Sequence, residues 1–441
     1  MQITAFPTPH HLTVWNLMKT IIIAIALLAS TLPGAARALS AETQMYGTLL
    51  PFTETVRTTD ATAPGLSPAN GGASMVPASA YTGTSLPARY RMTSGTSNLG
   101  FKGSLEINEF LRVIWQVESA ISPDGDPPNN LAGRNTCVGL SGSWGTVFYG
   151  NWDTPYKYPL LFVGPLRGLS PFDNNITANP GFNVPGTTTQ SGRINGKADA
   201  AFSRRQGNSI QYWSPTFYGF SARLAYSLNE GRTVATATAP SVSPDLWSAL
   251  VTYEYGPLTV RYAHERHNDY FGLAQLGGTA GATLTNRSSH DDANELVASF
   301  AFPTGTKVSA IAERLDYHTD ETTAAAVNGY QRDAAYLLVQ QRVGPHQLWG
   351  SFGKAWDGSA TSVGGAAVST NGLAGKQWSV GYSYALAKSA DIFASYYEMD
   401  NDRSASYAVF PSPGTVAPGA NTRGFGVGLL YTFSASWTGS L

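Results

Sequence analysis

The chain has 441 residues, with 28 Lys+Arg against 29 Asp+Glu, a formal net charge of −1, one cysteine, and only 13% charged against 12% aromatic residues. So even a balance leaves no basic footprint for nucleic acid, and a lone cysteine, Cys137, excludes an internal disulfide. A mean hydropathy of −0.13 is far too low for a bundle of spanning helices. Lys19 precedes an apolar run over 21–29, which is followed by Pro33, Gly34 and the small-residue stretch 35–40. That order is the one of a secretory signal, and the run falls well short of the roughly twenty residues a spanning helix needs. Residues 1–40 are therefore expected to be a signal peptide, cut after Ser40 or after Ala38, with Met18 as a candidate true start. Removing Lys19 and Arg37 with it leaves 26 basic and 29 acidic residues in 41–441, a net charge of −3.

From residue 41 onward about ten residues alternate apolar with small or polar, a short Gly/Pro/Ser turn follows, and the pattern repeats. Period-two alternation gives a strand one greasy face and one polar face. In Gly424 to Phe433 the first carries Phe425, Val427, Leu429, Tyr431 and Phe433, the second Gly424, Gly426, Gly428 and Thr432. Short turns are expected at 103–109, 141–145, 214–218, 256–257, 303–305, 344–345 and 387–389. Long polar connections alternate with them, at 53–88, 120–133, 152–203, 229–244, 269–292, 318–330, 358–375 and 401–421. Seven short turns between eight long loops predict an all-β chain of about sixteen antiparallel strands, with every long loop on one side. A transmembrane β-barrel has that asymmetry, with its greasy face turned out to lipid around a polar lumen. Trp144 and Tyr149, Tyr212 and Trp213, Tyr253 and Tyr255, and Tyr382 and Tyr384 fall where strands should meet the membrane interfaces and are expected to form the aromatic girdles. Cys137 is expected on a strand's outer face as a small apolar group.

The same alternation sorts the charges. Leu111, Val113, Trp115 and Val117 must face lipid, so Arg112, Gln116 and Glu118 face inward. Phe220, Ala222, Leu224 and Tyr226 face out and send Arg223 in, while Ile210 and Tyr212 put Gln211, Ser209 and Arg205 on the inner face. An arginine on the lipid face near mid-bilayer would cost about 2–4 kcal/mol, which sets the direction.

Several segments resemble the general diffusion porins of Gram-negative outer membranes, particularly the trimeric porins of beta-proteobacteria. They are 98–103 (NLGFKG), 133–147 (GRNTCVGLSGSWGTV), 208–218 (NSIQYWSPTFY) and 381–396, in family order along the whole mature chain. The resemblance implies a sixteen-stranded homotrimeric barrel in the outer membrane, a passive channel for small hydrophilic solutes and ions, whose long third loop folds into the lumen as an eyelet. The connection 152–203 is the longest, and a loop of that length is normally functional. Pro171-Phe172-Asp173 resembles the loop's acidic tip with the order of aromatic and acid swapped, which makes Asp173 the first candidate for the eyelet acid and Asp153, at the loop's root, the second. Arg134 aligns with the family's eyelet arginine; Arg112, Arg205 and Arg223 are candidates for the same basic wall, and Lys102 joins them from the second strand. Asn98 and Asn151 stand where the family usually carries arginine, so the basic ladder is thinner, and Ser434 to Leu441 extends past the usual terminal aromatic, Phe433.

An enzyme is not expected, because no Ser/His/Asp spacing brings a nucleophile, base and carboxylate together. His264, Glu265 and His267 place only His267 and Glu265 on one strand face, too little for a metal site. No cofactor, metal or nucleic acid is called for. The alternatives to a passive pore are a substrate-specific channel of the same barrel type, or an adhesin or receptor built on the long first loop, rich in Ala, Pro, Ser and Thr.

Overall fold

Strands that are apolar on one side all along the chain need a sheet that closes on itself, since an open edge would leave backbone donors and acceptors unpaired in lipid. The computed structural model describes residues 40–125, 131–166, 170–182, 200–227, 232, 234–235, 241, 243–270, 273, 288–320, 322 and 326–440; apart from Ser40, the expected signal peptide lies outside them. Residues 41–439 form one compact unit. The described strand segments are β1 (Ser40–Leu49), β2 (Phe52–Thr59), β3 (Arg89–Thr93), β4 (Asn98–Asn108), β5 (Leu111–Ala120), β6 (Thr136–Gly142), β7 (Gly145–Asp153), β8 (Arg205–Trp213), β9 (Phe220–Ser227) and β10 (Asp245–Tyr255). They continue as β11 (Leu258–Asn268), β12 (Ser289–Ala301), β13 (Thr306–Thr319), β14 (Val327–Val343), β15 (His346–Ala355), β16 (Ser359–Ser362), β17 (Gly375–Ala387), β18 (Ala390–Asn401) and β19 (Asn421–Ser440).

All nineteen segments belong to one sheet. Three breaks lie within a stave of the barrel, not between staves. Pro51, with no N–H to give the ladder, divides β1 from β2, yet both pair with β19. β3 and β4 pair in turn with β2 and β1, and β15 and β16 both pair with β14. The nineteen segments are thus sixteen antiparallel staves, and β19 returns to the first and closes the barrel. The short turns fall between neighbours as the sequence implies, for instance 256–257 between β10 and β11 and 344–345 between β14 and β15, except the first: 103–108 is the end of β4, and the turn is at 109–110.

Two sequence expectations are corrected here. The first loop starts after Thr59, not at Thr53, because the chain resumes its alternation beyond Pro51: Phe52, Glu54, Val56 and Thr58 are buried inward as part of β2. Cys137 faces the lumen, not lipid. Its register partners are Gln116 and Gly150, and directly opposed residues share a face; the outward neighbour is Val138, 56% exposed.

Exposure divides the barrel into two sides. On β13 the outward Ala310, Ala312 and Arg314 are exposed, while the inward Ile311, Glu313 and Leu315 are buried. Something inside the lumen covers that wall. On β4 and β5 the inward Lys102, Glu106 and Arg112 are exposed, so the channel's open space runs along this side. Part of the covering is the roof formed by 60–88, 363–374 and 402–420. Ala73 N and Tyr81 Oη both bond Ser404 Oγ at 3.1 and 3.0 Å, Ser74 N donates to Ser369 O at 2.7 Å, and Thr62 N donates to Pro418 O at 2.9 Å.

Candidate pore constriction

The rest of the covering comes from the described residues of the third long connection, 154–166, 170–182 and 200–204. The connection leaves β7, turns through a 3-10 segment at Pro159–Phe162, and follows the inner wall instead of crossing open space. Lys307 Nζ donates to Phe162 O at 3.2 Å from β13, and Gln347 Nε2 donates to Pro165 O at 2.9 Å from β15. Further on, Phe172 packs among Phe52, Phe393 and Tyr397 with ring centroids 5.5–5.6 Å away. Its carbonyl accepts Ser379 Oγ at 2.8 Å, and Asn175 N donates to Gln377 Oε1 at 2.8 Å. Glycine permits the approach: a Cβ on Gly426 would meet Phe172 at 3.0 Å, and one on Gly353 would meet Ile176 at 2.7 Å. On β13 Glu313 accepts Tyr156 Oη at 2.6 Å and Ala178 N at 2.7 Å. Arg332 of β14 lies 3.2 Å from the same carboxylate, both side chains wholly buried.

Asp173 belongs to this anchored stretch. It is 3% exposed; Ser170 Oγ donates to its carboxylate at 3.2 Å, and Gln377 Nε2 donates to its main-chain carbonyl. Burial, opposed only by the Ser170 hydrogen bonds, pushes its carboxyl well above the usual carboxylate range. The side chain is therefore turned into the loop–wall contact, away from the arginines.

Across the lumen the upper ends of β5–β8 carry the charged cluster. Arg134 Nε lies 2.5 Å from Glu118 Oε1, and Tyr46 Oη donates to Glu118 Oε2 at 3.0 Å. Next to it Asp153 receives Arg205 at 3.2 Å and Lys157 at 2.8 Å, with Asn135 Nδ2 on its second oxygen at 2.8 Å. Asn135 Oδ1 in turn accepts Arg205 Nε at 2.7 Å, and Asn151 Nδ2 donates to Arg134 O at 3.1 Å. Three cations thus share two carboxylates. Burial pulls the Lys157 ammonium below its ordinary range, and Asp153 beside it opposes that shift.

Of the other expected wall cations, Lys102 lies 5.3 Å from the Tyr46 ring, and Arg112 points into the lumen with no ion-pair partner among the described residues, although Glu106 stands opposite in register. Arg223 also faces inward, with its guanidinium 3.4 Å from the Tyr158 ring and 3.8 Å from that of Trp213. Trp213 corrects the girdle assignment. It pairs with Arg223 and Thr146 on the lumen face and packs against Phe148 and Trp152 at 5.2 and 5.7 Å.

The structure therefore brings Arg134, Arg205 and Asp153 together, spaces Lys102, Arg112 and Arg223 along the same wall, and leaves Asp173 on the opposite side. Sequence reasoning missed Lys157, although its place four residues after Asp153 is a usable signal once the chain turns there, and it missed Arg261. The latter lies 4.5 Å from the Phe162 ring and 3.2 Å from Glu254. His267 Nε2 and Glu265 sit 3.0 Å apart on the covered wall, the imidazole stacked on Phe202.

Among relatives, the chain is 27% identical over 283 residues to the major outer membrane protein P.IA of Neisseria meningitidis serogroup A, covering 57% of this chain and 64% of that one. It is 28% identical over 255 residues to outer membrane porin protein 32 of Delftia acidovorans, covering 56% and 63%. The matches thus span a little under two thirds of these relatives' length. An anion-selective porin from Comamonas acidovorans superposes with a TM-score of 0.63 at 19% identity, over 89% of this chain and 100% of that one. OmpT of Vibrio cholerae in its trimer form gives 0.55 at 15%, over 89% and 99%. The model of a family described as Gram-negative porin matches residues 24–404, most of the chain: this protein belongs to the Gram-negative porin family.

Proposed function

We propose that the chain is a passive, water-filled channel of the outer membrane, through which small hydrophilic solutes and ions move down their own gradients. In this reading it is a homotrimer, delivered by residues 1–40 as a signal peptide. The observation that carries the proposal is the division of the lumen: charged residues stay exposed along β4 and β5, while the described residues 154–166 and 170–182 lie against the opposite wall and narrow the bore. A bore of this kind selects by size and by fixed charge. The eyelet's basic side is Arg134, Arg205 and Lys157, held in place by Glu118 and Asp153, with Arg112, Lys102 and Arg223 continuing it along the wall. Three cations against two carboxylates leave a positive excess, opposed towards the rim by Glu42 and Glu106. A weak anion preference follows, in keeping with the anion-selective porin among the structural neighbours. Asp173 serves in anchoring the loop and is turned away from the eyelet. Purified protein in a planar bilayer should give discrete ohmic steps in KCl; a protein that inserts and yields no steps refutes the channel.

The substrate-specific reading has one observation in its favour, the aromatic residues Phe148, Trp152 and Trp213 standing on the lumen wall where a porin interior is ordinarily polar.

A further inference from the structure

The inner wall of β5–β9 holds one row in continuous register: Arg112 opposite Ser141, Ser141 opposite Thr146, Thr146 opposite Trp213, Trp213 opposite Arg223. Directly opposed residues share a face, so all five point into the lumen. Above the row lie Phe148 and Trp152, their rings 5.0 Å apart, and with Trp213 they make an edge-to-face cluster. Trp152 and Trp213 are both partly exposed. Such rings facing a water-filled bore leave apolar surface wet unless something lies on it.

The two arginines that border this surface differ from five others in the barrel, although Arg342, which donates to Gln347 Oε1 at 2.8 Å, likewise has no carboxylate partner among the described residues. Arg134, Arg205, Arg261, Arg91 and Arg332 each have a carboxylate within 3.2 Å. Arg112 and Arg223 have none among the described residues; the Arg223 guanidinium lies over the ring faces of Tyr158 and Trp213, with the Tyr158 side chain also its hydrogen-bond partner. With strands roughly 4.8 Å apart, the backbones of Arg112 and Trp213 are about 14 Å apart, within the combined reach of their side chains plus a small ring. Guanidinium matches carboxylate in a planar, two-bond fork. An aromatic surface flanked by two arginines lacking carboxylates fits a solute that brings both missing parts.

We propose that this wall is a binding subsite for aromatic carboxylates, the ring lying on Trp152 and Trp213 and the carboxylate taken by Arg223 or Arg112. The subsite rests on the channel reading above, since solute reaches it only through the bore. It would make the pore concentrate such solutes near its constriction without changing the passive direction of flow.

The test is current block in a planar bilayer with benzoate, acetate, benzyl alcohol and benzylamine, each reading scaled to the open KCl conductance of the same channel. Benzoate should half-block at a concentration at least tenfold below acetate and benzyl alcohol, and benzylamine should not substitute for it. Trp152→Leu and Trp213→Leu should each raise the half-blocking benzoate concentration about tenfold, as expected for losing one stacking partner. Should either variant fail to insert, Arg112→Gln, at an exposed position, should weaken benzoate block while leaving that by benzyl alcohol as it was. Equal block by benzoate and acetate, equal block by benzylamine, or wild-type block in the variants overturns the subsite and leaves the channel standing. Absence of any KCl conductance overturns both.

Discussion

In the proposed eyelet Arg134, Arg205 and Lys157 differ from Lys102, Arg112 and Arg223 in being held by carboxylates, which would keep their charge at a fixed place in the bore. Neutralising Arg134 or Arg205 uncovers Glu118 or Asp153. Arg134→Gln should therefore move the zero-current potential in a KCl gradient towards cation preference by more than the loss of one positive charge alone, and Arg205→Gln should do the same. Asp173→Asn should leave that potential where it was, because the carboxyl is buried in the loop–wall contact and does not face the bore. Its effect belongs to pH instead. The docked loop holds a proton that the free loop gives up, so docking is favoured at low pH and weakens as pH rises from the ordinary carboxylate range towards the raised value. Wild type should grow noisier in single-channel recordings at alkaline pH, and Asp173→Asn should not; noise that rises equally in both would place the titrating group elsewhere. Arg332→Ala should be much more damaging, since it leaves Glu313 buried and uncompensated at a cost of about 3–5 kcal/mol. Thermal denaturation of the detergent-solubilised protein, followed by circular dichroism, would register that loss.

The element that decides the channel's form is the connection 154–204, and it explains what the sequence could and could not disclose. Strand faces were readable because period two is a property of each strand alone: Arg112, Gln116, Glu118 and Arg223 face as alternation implies, whereas on β8 a bulge below Ser209 puts Gln206, not Arg205, on the buried inner row. What covers a face is a property of distant residues, and alternation is silent on it. Asp173 reads as a loop-tip acid until Gln377, 204 residues further on, takes its carbonyl. Trp213 reads as a girdle residue because an aromatic near a turn looks the same whether it points to lipid or to the lumen, and Cys137 reads as outward because a small apolar side chain fits either side. Pro51 hid the start of β2 by interrupting a stave that continues beyond it. The covering can be probed directly in a Cys137→Ser background. Cysteine at Arg112 should react quickly with a charged, water-soluble reagent, cysteine at Gln377 slowly although it also faces inward, and cysteine at Val427 only with a lipid-soluble one. Fast reaction at Gln377 would mean that the loop does not lie on that wall.

At the scale of the whole molecule, closure of sixteen staves removes every sheet edge and makes the backbone's hydrogen bonding complete within lipid. Unboiled protein on an SDS gel should migrate as a heat-modifiable oligomer, and a band that runs as monomer before heating would count against the trimer. The net charge of −3 expected for 41–441 does not set the channel's preference, because exposed loop charges are screened beyond about 8 Å at physiological salt. The sign is set by the few charges that line the bore. The zero-current potential of the wild-type channel across a KCl gradient measures that sign. An anion-preferring potential that turns towards cations in Arg134→Gln is the expected result, and a cation-preferring potential that Arg134→Gln leaves unmoved would contradict a bore lined by the wall of β4–β8.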